Sequence, residues 1–388
     1  MKGLPRGGIL CIVGARPNYM KMAPLMRAFG AHDTLPRPLL VHTGQHYDVA
    51  MNDRLFSDLE LPAPDLNLEV GSATHAVQTA EIMRRIEPVL DETRPACVVL
   101  VGDVNSTLAV ALVAAKKAIP IAHVEAGLRS YDRAMPEEIN RILTDQLSDL
   151  LYTTERSAGD NLAREGIARD RIHFVGNVMI DSVMRHRTRA VTSAETLGRE
   201  HCAWSASEMN RGFALVTLHR PSNVDDAASL EESLQVLDAM SRQLPVVWPV
   251  HPRTRGNIER FGLGAKAASR RIFLLPPQGY LEMLGLMRDA QVVLTDSGGI
   301  QEETTALAVP CLTMRENTER PITVDEGTNT LVGRDCKHIM ACVEEILAGR
   351  GKRGQRPELW DGHAAERIAS HLATWLAAPA ETREHVTA

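Results

Sequence analysis

Ala290-Gln291-Val292-Val293-Leu294-Thr295-Asp296-Ser297-Gly298-Gly299-Ile300-Gln301-Glu302-Glu303 runs from a short apolar stretch through a Ser-Gly-Gly turn into a helical pattern. A buried strand that empties through glycines into a helix leaves backbone N–H groups and the positive helix end aimed at one spot. That spot suits an anion such as a phosphate. Glu302 and Glu303 are expected in the first turn, where acids suit the dipole and one could reach hydroxyl groups of a ligand. Such turns also occur without any ligand, so the rest of the chain has to decide.

Working outward, short β-branched runs alternate with longer amphipathic stretches from end to end. Strands are expected at 9–13, 39–41, 97–101, 119–124, 150–153 and 172–175, then at 214–218, 246–250, 272–275, 292–295 and 310–314. Near-continuous apolar strands alternating with helices imply parallel sheets covered on both faces. The polar, weakly patterned segment 185–211 separates the two series. The expected fold class is therefore α/β, with two Rossmann-like domains whose parallel sheets face a central cleft. Domain one is expected over 1–185 and domain two over 186–361. A helix and tail over 362–388 could pack back on either.

With 388 residues, the chain is too long for one ordinary core, which agrees with two domains. Its 44% hydrophobic and 24% charged content is that of a soluble globular protein. A net charge of -6, without long like-charge blocks, argues against nucleic acid or an anionic membrane surface as the main partner. No apolar stretch reaches the roughly 18 residues that a membrane span needs, and the N-terminus does not read as a signal peptide. Cys11, Cys97, Cys202, Cys311, Cys336 and Cys342 include no C-x-x-C pair. They read as reduced residues of a cytoplasmic protein, with no zinc site.

Ligands of parallel sheets bind beyond the carboxyl ends of the strands. There the first series carries Gly14-Ala15-Arg16-Pro17-Asn18, Thr43-Gly44-Gln45-His46, Gly102-Asp103-Val104-Asn105-Ser106 and Glu125-Ala126-Gly127-Leu128-Arg129. The second carries His219-Arg220-Pro221, His251-Pro252-Arg253, Pro276-Pro277-Gln278-Gly279 and Ser297-Gly298-Gly299, followed by Arg315 to Pro321. Arg16 and Lys21 could clamp an anion at a helix start, or simply be solvated there. No G-x-G-x-x-G follows the first strand and no P-loop motif occurs, so dinucleotide and P-loop readings fall away.

Asp103 and Glu125 each follow a buried strand, where desolvation favours acid–base work. Asp103 could instead cap the helix opening at Asn105-Ser106. Glu125 precedes no obvious helix, so capping explains it less well. Glu137 and Glu138 after Pro136 make a good helix start with no need of function. Three carboxylates converging on one cleft would be hard to justify structurally, because like charges repel. His219 could be a satisfied strand-end residue, or with Arg220 and His251 a diphosphate or acid–base group. Ser297 lacks the first glycine of G-x-S-x-G, and a phosphate hydrogen bond suits it better than a nucleophile's role.

Six segments together resemble one family. They are Gly14 to Lys21, Gly102 to Thr107, His123 to Arg129, Pro136 to Arg141, Asp296 to Glu303 and Thr318 to Pro321. In this order they resemble the non-hydrolysing UDP-N-acetylglucosamine 2-epimerases over about residues 8 to 350. The resemblance implies the glycosyltransferase-B fold, a homodimer, UDP-GlcNAc as substrate, no cofactor and no metal. It also implies a glycal intermediate, formed by anti elimination of UDP and consumed by its re-addition. UDP-ManNAc for surface polysaccharide would be the product.

Carried over by motif, Asp103, Glu125 and Glu137 would be the acid–base set, and His219 would assist the chemistry or hold the diphosphate. Arg16, Lys21, Ser297, Gly298 and Gly299 would bind the diphosphate side, Glu303 the ribose, and Arg320 the sugar or phosphates. Gln45, His46, Arg220 and His251 fall near the place where some members bind an activating second UDP-sugar. The chain departs from the family at Asn18, where many members carry Glu. It departs again at Pro221-Ser222, where they often carry Arg-Glu, and at Met283, where relatives can place an aromatic near the uracil. These departures bear on sugar preference and regulation; the core acids are intact. Rival readings are a hydrolysing 2-epimerase, a 2-epimerase of a modified UDP-HexNAc, and a glycosyltransferase sharing the fold and nucleotide site.

Overall fold

The computed structural model describes residues 4–45, 49–202, 204, 212–267 and 271–379, with the backbone alone over 49–53. The chain divides into two compact units, one of Met1–Arg185 together with Glu358 onward and the other of His186–Pro357.

The first unit contains β1 (Ile9–Val13), β2 (Pro38–His42), β3 (Leu66–Asn67), β4 (Cys97–Val101), β5 (Ile121–Ala126), β6 (Leu150–Thr153) and β7 (Ile172–Phe174). They form one sheet in the order β3-β2-β1-β4-β5-β6-β7, every pair parallel. β1, β2, β4, β5 and β6 are buried along their whole length, as unbroken apolar strands require when helices cover both faces. The helix Ala364–Ala377 also belongs to this unit. Its first turn is capped by Asp181, which accepts from the Ala364 and Ala365 N–H groups at 3.1 and 2.7 Å. Just before it, the buried Trp360 indole donates to the Thr154 carbonyl at 3.0 Å.

The second unit holds β8 (Ala214–Thr217), β9 (Val246–Pro249), β10 (Ile272–Leu275), β11 (Val292–Thr295), β12 (Cys311–Thr313) and β13 (Asn329–Leu331), in the order β10-β9-β8-β11-β12-β13. These pairs too are all parallel. Its core gathers Val216, Leu234, Leu237, Trp248, Val292, Leu294 and Ile339.

In both sheets the strand order reverses near the centre, between β1 and β4 and between β8 and β11. In a doubly wound sheet that switch point is where the strand ends open a crevice. The strands expected from the sequence are present, with two edge strands in addition. β3 and β13 are only two and three residues long and contain asparagine, so they carry almost no apolar signal. The β5 boundary needs correction. Glu125 does not follow the strand but lies within it, at a register shift between Val124 and Ala126 and with φ of 72°. Among the described residues no cysteine forms a disulfide, and no helix is long and apolar enough to cross a membrane.

Candidate active site

In the first unit, β1 ends in Gly14-Ala15 and the helix Arg16–Ala31 begins at once. A Cβ on Gly14 would fall 2.1 Å from Ser106 Oγ, so glycine permits the close approach of the β1 and β4 ends. Ala15 offers no side-chain cap, and the buried Asn18 carboxamide takes over that task. Its Oδ1 accepts from the Gly14 and Ala15 N–H groups at 3.0 and 3.1 Å, while Nδ2 donates to the Val101 carbonyl at 3.0 Å. Asn18 thus ties β1 to β4 across the switch point. One turn on, the buried Lys21 ammonium pairs with Glu125. The same ammonium lies 3.0 Å from where a Cβ on Gly102 would stand, and Gly102 has φ of 66°, so a side chain is excluded there twice over.

Asp103 does not cap the following helix. The N-cap of Asn105–Lys116 is Val104, without a side-chain bond. The Asp103 carboxylate instead takes the guanidinium of Arg141, and its carbonyl accepts from Asn140 Nδ2 at 2.8 Å. Arg141 reaches back to Glu138 Oε2 through Nε at 3.0 Å and NH2 at 2.6 Å. Glu138 also accepts from Ser130 N–H and Oγ, and from Tyr131 N–H at 2.8 Å. Burial pushes the Glu138 carboxyl up, but the Ser130 N–H and then Arg141 outweigh it and hold the group below the usual range.

Neighbouring acids at one helix start therefore have different surroundings. Glu138 is buried in this network, whereas Glu137 is exposed. Arg16 is half-buried at the first helical position. Gln45 is buried, and its Oε1 accepts from Ser106 Oγ at 2.7 Å. His46 lies outside the described residues.

The second unit is organised by Asp296, a residue named in the opening motif but not among the candidates. It is fully buried at the end of β11. It accepts from the His219 N–H at 3.0 Å, the Arg220 N–H at 2.9 Å and Asn223 Nδ2 at 3.1 Å, and pairs with His219 Nδ1 at 2.9 Å. Burial raises its carboxyl, yet the bond and charge of His219, then Arg220 N–H, pull it below the usual range. Nδ1 of His219 is committed to Asp296, and the side chain is 42% exposed. The His251 ring stands 5.7 Å away, but its Nδ1 accepts from the Arg253 N–H at 3.2 Å and so caps the helix Pro252–Arg260.

Ser297 is the N-cap of the ten-residue helix Gly298–Leu307, and its side chain makes no cap bond. The expected acids of the first turn are not there. Gly298 opens the helix, which places Glu302 and Glu303 in the second turn. Glu302 pairs with Arg320 Nε at 2.9 Å, and Arg320 NH1 meets Glu319 at 2.5 Å. Glu319 also holds Arg315 at 2.8 Å and lies 3.7 Å from Arg220. Burial works against the Glu319 carboxylate, but the charges of Arg320, Arg315 and Arg220 keep it well below the usual range. A Cβ on Gly298 would meet Arg320 NH1 at 2.4 Å and Glu319 at 2.6 Å, so this arginine-rich cluster rests against the helix start.

Glu303 is buried, and its carboxyl is pushed up to about 8 by burial and by Glu302, against a bond from the Tyr280 hydroxyl. Its Oε1 is buried with no hydrogen-bond partner among the described residues. Among those residues, no three His, Cys, Asp or Glu side chains are grouped to hold a metal ion. The sequence assigns no catalytic or binding role to Asn18, Glu138, Arg141, Asp296, Arg315 or Glu319. The i,i+3 spacing of Glu138 and Arg141 was the one local signal for this network.

Two doubly wound parallel units, each with polar groups gathered at its switch point, define a glycosyltransferase-B-like class of fold. The chain belongs to the UDP-N-acetylglucosamine 2-epimerase family, whose model matches residues 32–373. It is 40% identical over 366 residues to a UDP-N-acetylglucosamine 2-epimerase of Methanocaldococcus jannaschii, covering 93% of this chain and 97% of that one. It is 42% identical over 370 residues to a UDP-2,3-diacetamido-2,3-dideoxy-D-glucuronate 2-epimerase of Pseudomonas aeruginosa, covering 94% and 99%. The crystal structure of the M. jannaschii UDP-GlcNAc 2-epimerase, in complex with UDP-GlcNAc and UDP, matches with a TM-score of 0.85 and 38% identity, over 95% of this chain and 99% of that one.

Proposed function

We propose that this protein interconverts UDP-GlcNAc and UDP-ManNAc without net hydrolysis. The observation that carries the reading is the pair of cation-held carboxylates, Asp103 on Arg141 and Glu125 on Lys21, at adjacent strand ends of one sheet. The hydrogen on carbon 2 of the sugar is barely acidic, so its removal has to be coupled to loss of a good leaving group. A carboxylate of the set Asp103, Glu125 and Glu137 takes that proton. The C–H electron pair becomes the C1=C2 double bond, and the C1–O bond breaks with its pair on UDP. UDP then adds back to carbon 1 while a carboxylic acid delivers a proton to the opposite face of carbon 2.

In the second unit, the capless N-terminus at Ser297, Gly298 and Gly299 holds the departing diphosphate, with Arg320 and His219 beside it. There fixed N–H groups and cations stabilise developing charge. Arg16 and Lys21 of the first unit are proposed diphosphate-binding cations, and Glu303 of the second receives the ribose hydroxyls. We place the protein in the cytoplasm as a homodimer that supplies a precursor of surface polysaccharide.

A second substrate is favoured by a specific observation. The P. aeruginosa relative, at 42% identity, carries the name of an epimerase for a diacetamido uronate. The same carboxylates serve either sugar, since both present an acetamido group beside the hydrogen that is removed.

Incubation with UDP-GlcNAc in deuterated water, followed by proton NMR, tests the reading. UDP-ManNAc with deuterium at carbon 2 is the expected product. Free ManNAc and UDP would establish hydrolysis instead, and inertness toward UDP-GlcNAc with turnover of the diacetamido uronate would move the substrate. Asp103→Asn should abolish exchange and leave UDP binding intact; undiminished turnover would sink the assignment of Asp103.

A further inference from the structure

His123 and Asp145 are fully buried in the first unit, and the proposed chemistry gives neither a role. His123 Nδ1 stands 2.7 Å from Asp145 Oδ1, and Nε2 stands 2.8 Å from the Gly102 carbonyl. A carboxylate and a carbonyl can only accept, so both ring nitrogens have to donate. Asp145 in turn accepts from the Gly127 N–H at 3.1 Å and pairs with Arg129 at 2.7 Å. Burial raises the Asp145 carboxyl, but the bond and charge of His123 and then Arg129 hold it below the usual range, so Asp145 is the acceptor of this network.

The residues tied together are informative. Gly102 immediately precedes Asp103, and Gly127 lies two positions after Glu125. Both glycines are left-handed, with φ of 66° and 80°, and Glu125 between them is left-handed as well, at 72°. A non-glycine residue is strained in that region, and the neighbouring structure has to hold it. Gly127 cannot be replaced as the anchor, because a Cβ there would meet the Ala158 carbonyl oxygen at 2.4 Å. The imidazole therefore bridges the two irregular backbone segments that present the two carboxylates.

We infer that His123 is a positioning residue, its imidazole holding the Gly102–Asp103 turn against the Glu125 bulge through Asp145. The inference rests on the proposed roles of Asp103 and Glu125. His123 touches no substrate; it fixes the spacing of two groups that do. A misplacement of about 1 Å at such groups can cost on the order of a hundredfold in rate.

Two substitutions separate the bonds. In His123→Asn the amide nitrogen overlies Nδ1, keeping Asp145 and losing Gly102. In His123→Gln it reaches the place of Nε2 and keeps Gly102. The intact protein and both variants are compared for kcat and KM with UDP-GlcNAc, for deuterium entry at carbon 2, and for UDP binding by calorimetry. Each variant breaks one end of the bridge, so the expected result for both His123→Asn and His123→Gln is a kcat about a hundredfold lower with KM and UDP affinity within about threefold. A kcat within about threefold of wild type in either variant overturns the inference.

If the variants do not fold, nitrogen NMR of the wild-type imidazole decides. Two protonated ring nitrogens at neutral pH support the bridge, and one bare ring nitrogen overturns it. Failure of the epimerase reading itself would look different, as absence of carbon 2 exchange in the wild-type protein.

Discussion

Lys21 and Glu125 form an ion pair in which both side chains are buried, 4% and 2% exposed. One comes from the helix that follows β1 and the other from the bulge of β5. Because β4 lies between these strands, the pair spans the switch point of the first sheet. Taking two charges out of water is costly, and only their mutual attraction in good geometry offsets it.

Removing one partner should therefore do more harm than removing both. Lys21→Met removes the cation paired with a buried carboxylate and should destabilise the protein by about 3–5 kcal/mol. Adding Glu125→Gln to that variant should restore much of the loss in urea unfolding midpoint, while activity stays absent. Strictly additive stability effects in this double-mutant cycle would show that the two charges do not depend on each other.

Arg141 uses one planar guanidinium to hold both Asp103 and Glu138. A lysine ammonium keeps the charge but not the fork. Arg141→Lys should lower kcat by at least about tenfold while UDP affinity is unchanged. Steady-state kinetics beside UDP calorimetry checks this; an unaltered kcat would mean that Asp103 keeps its place unaided.

Glu303 gives a pH dependence with a definite sign. Its carboxyl is raised from 4.5 to about 8 by burial and by Glu302. Below pH 4.5 it is protonated in both folded and unfolded chains and contributes no pH dependence. Between 4.5 and about 8 the unfolded chain releases the proton and the folded one keeps it, so stability falls as pH rises. Glu303→Gln removes that term. The variant minus wild-type difference in unfolding free energy should grow from pH 5 to pH 8, and a difference independent of pH would refute the raised carboxyl.

Asp296 accepts from two backbone N–H groups and two side chains, a set that an amide cannot satisfy. Asp296→Asn should weaken UDP binding at least about tenfold, since each hydrogen bond to a charged group is worth about 1.5–3 kcal/mol. Calorimetry with UDP checks it. Asp103→Asn, in the other unit, should bind UDP as wild type does. Equal loss in both variants would argue for a general folding defect.

The unbroken apolar runs of β1, β4, β8 and β11 determined the α/β class and the parallel sheets, because a strand buried on both faces has nowhere to place polar side chains. The motifs between them determined the family and placed Asp103, Glu125, His219 and Ser297 at strand ends. What only the tertiary structure decided was the partners. Asp103 could have capped its own helix; Arg141, 38 positions away, claims its carboxylate. Glu137 and Glu138 are alike as a helix start, and only the return of the Ser130–Tyr131 backbone separates an exposed acid from a buried one. Glu125 reads as a residue after the strand, and pairing with β6 makes it a left-handed bulge within it. Local pattern fixes where the chain is apolar and where it turns. Which charge meets which is set by groups brought together from distant positions, and their mutual desolvation carries no period that a linear sequence can display.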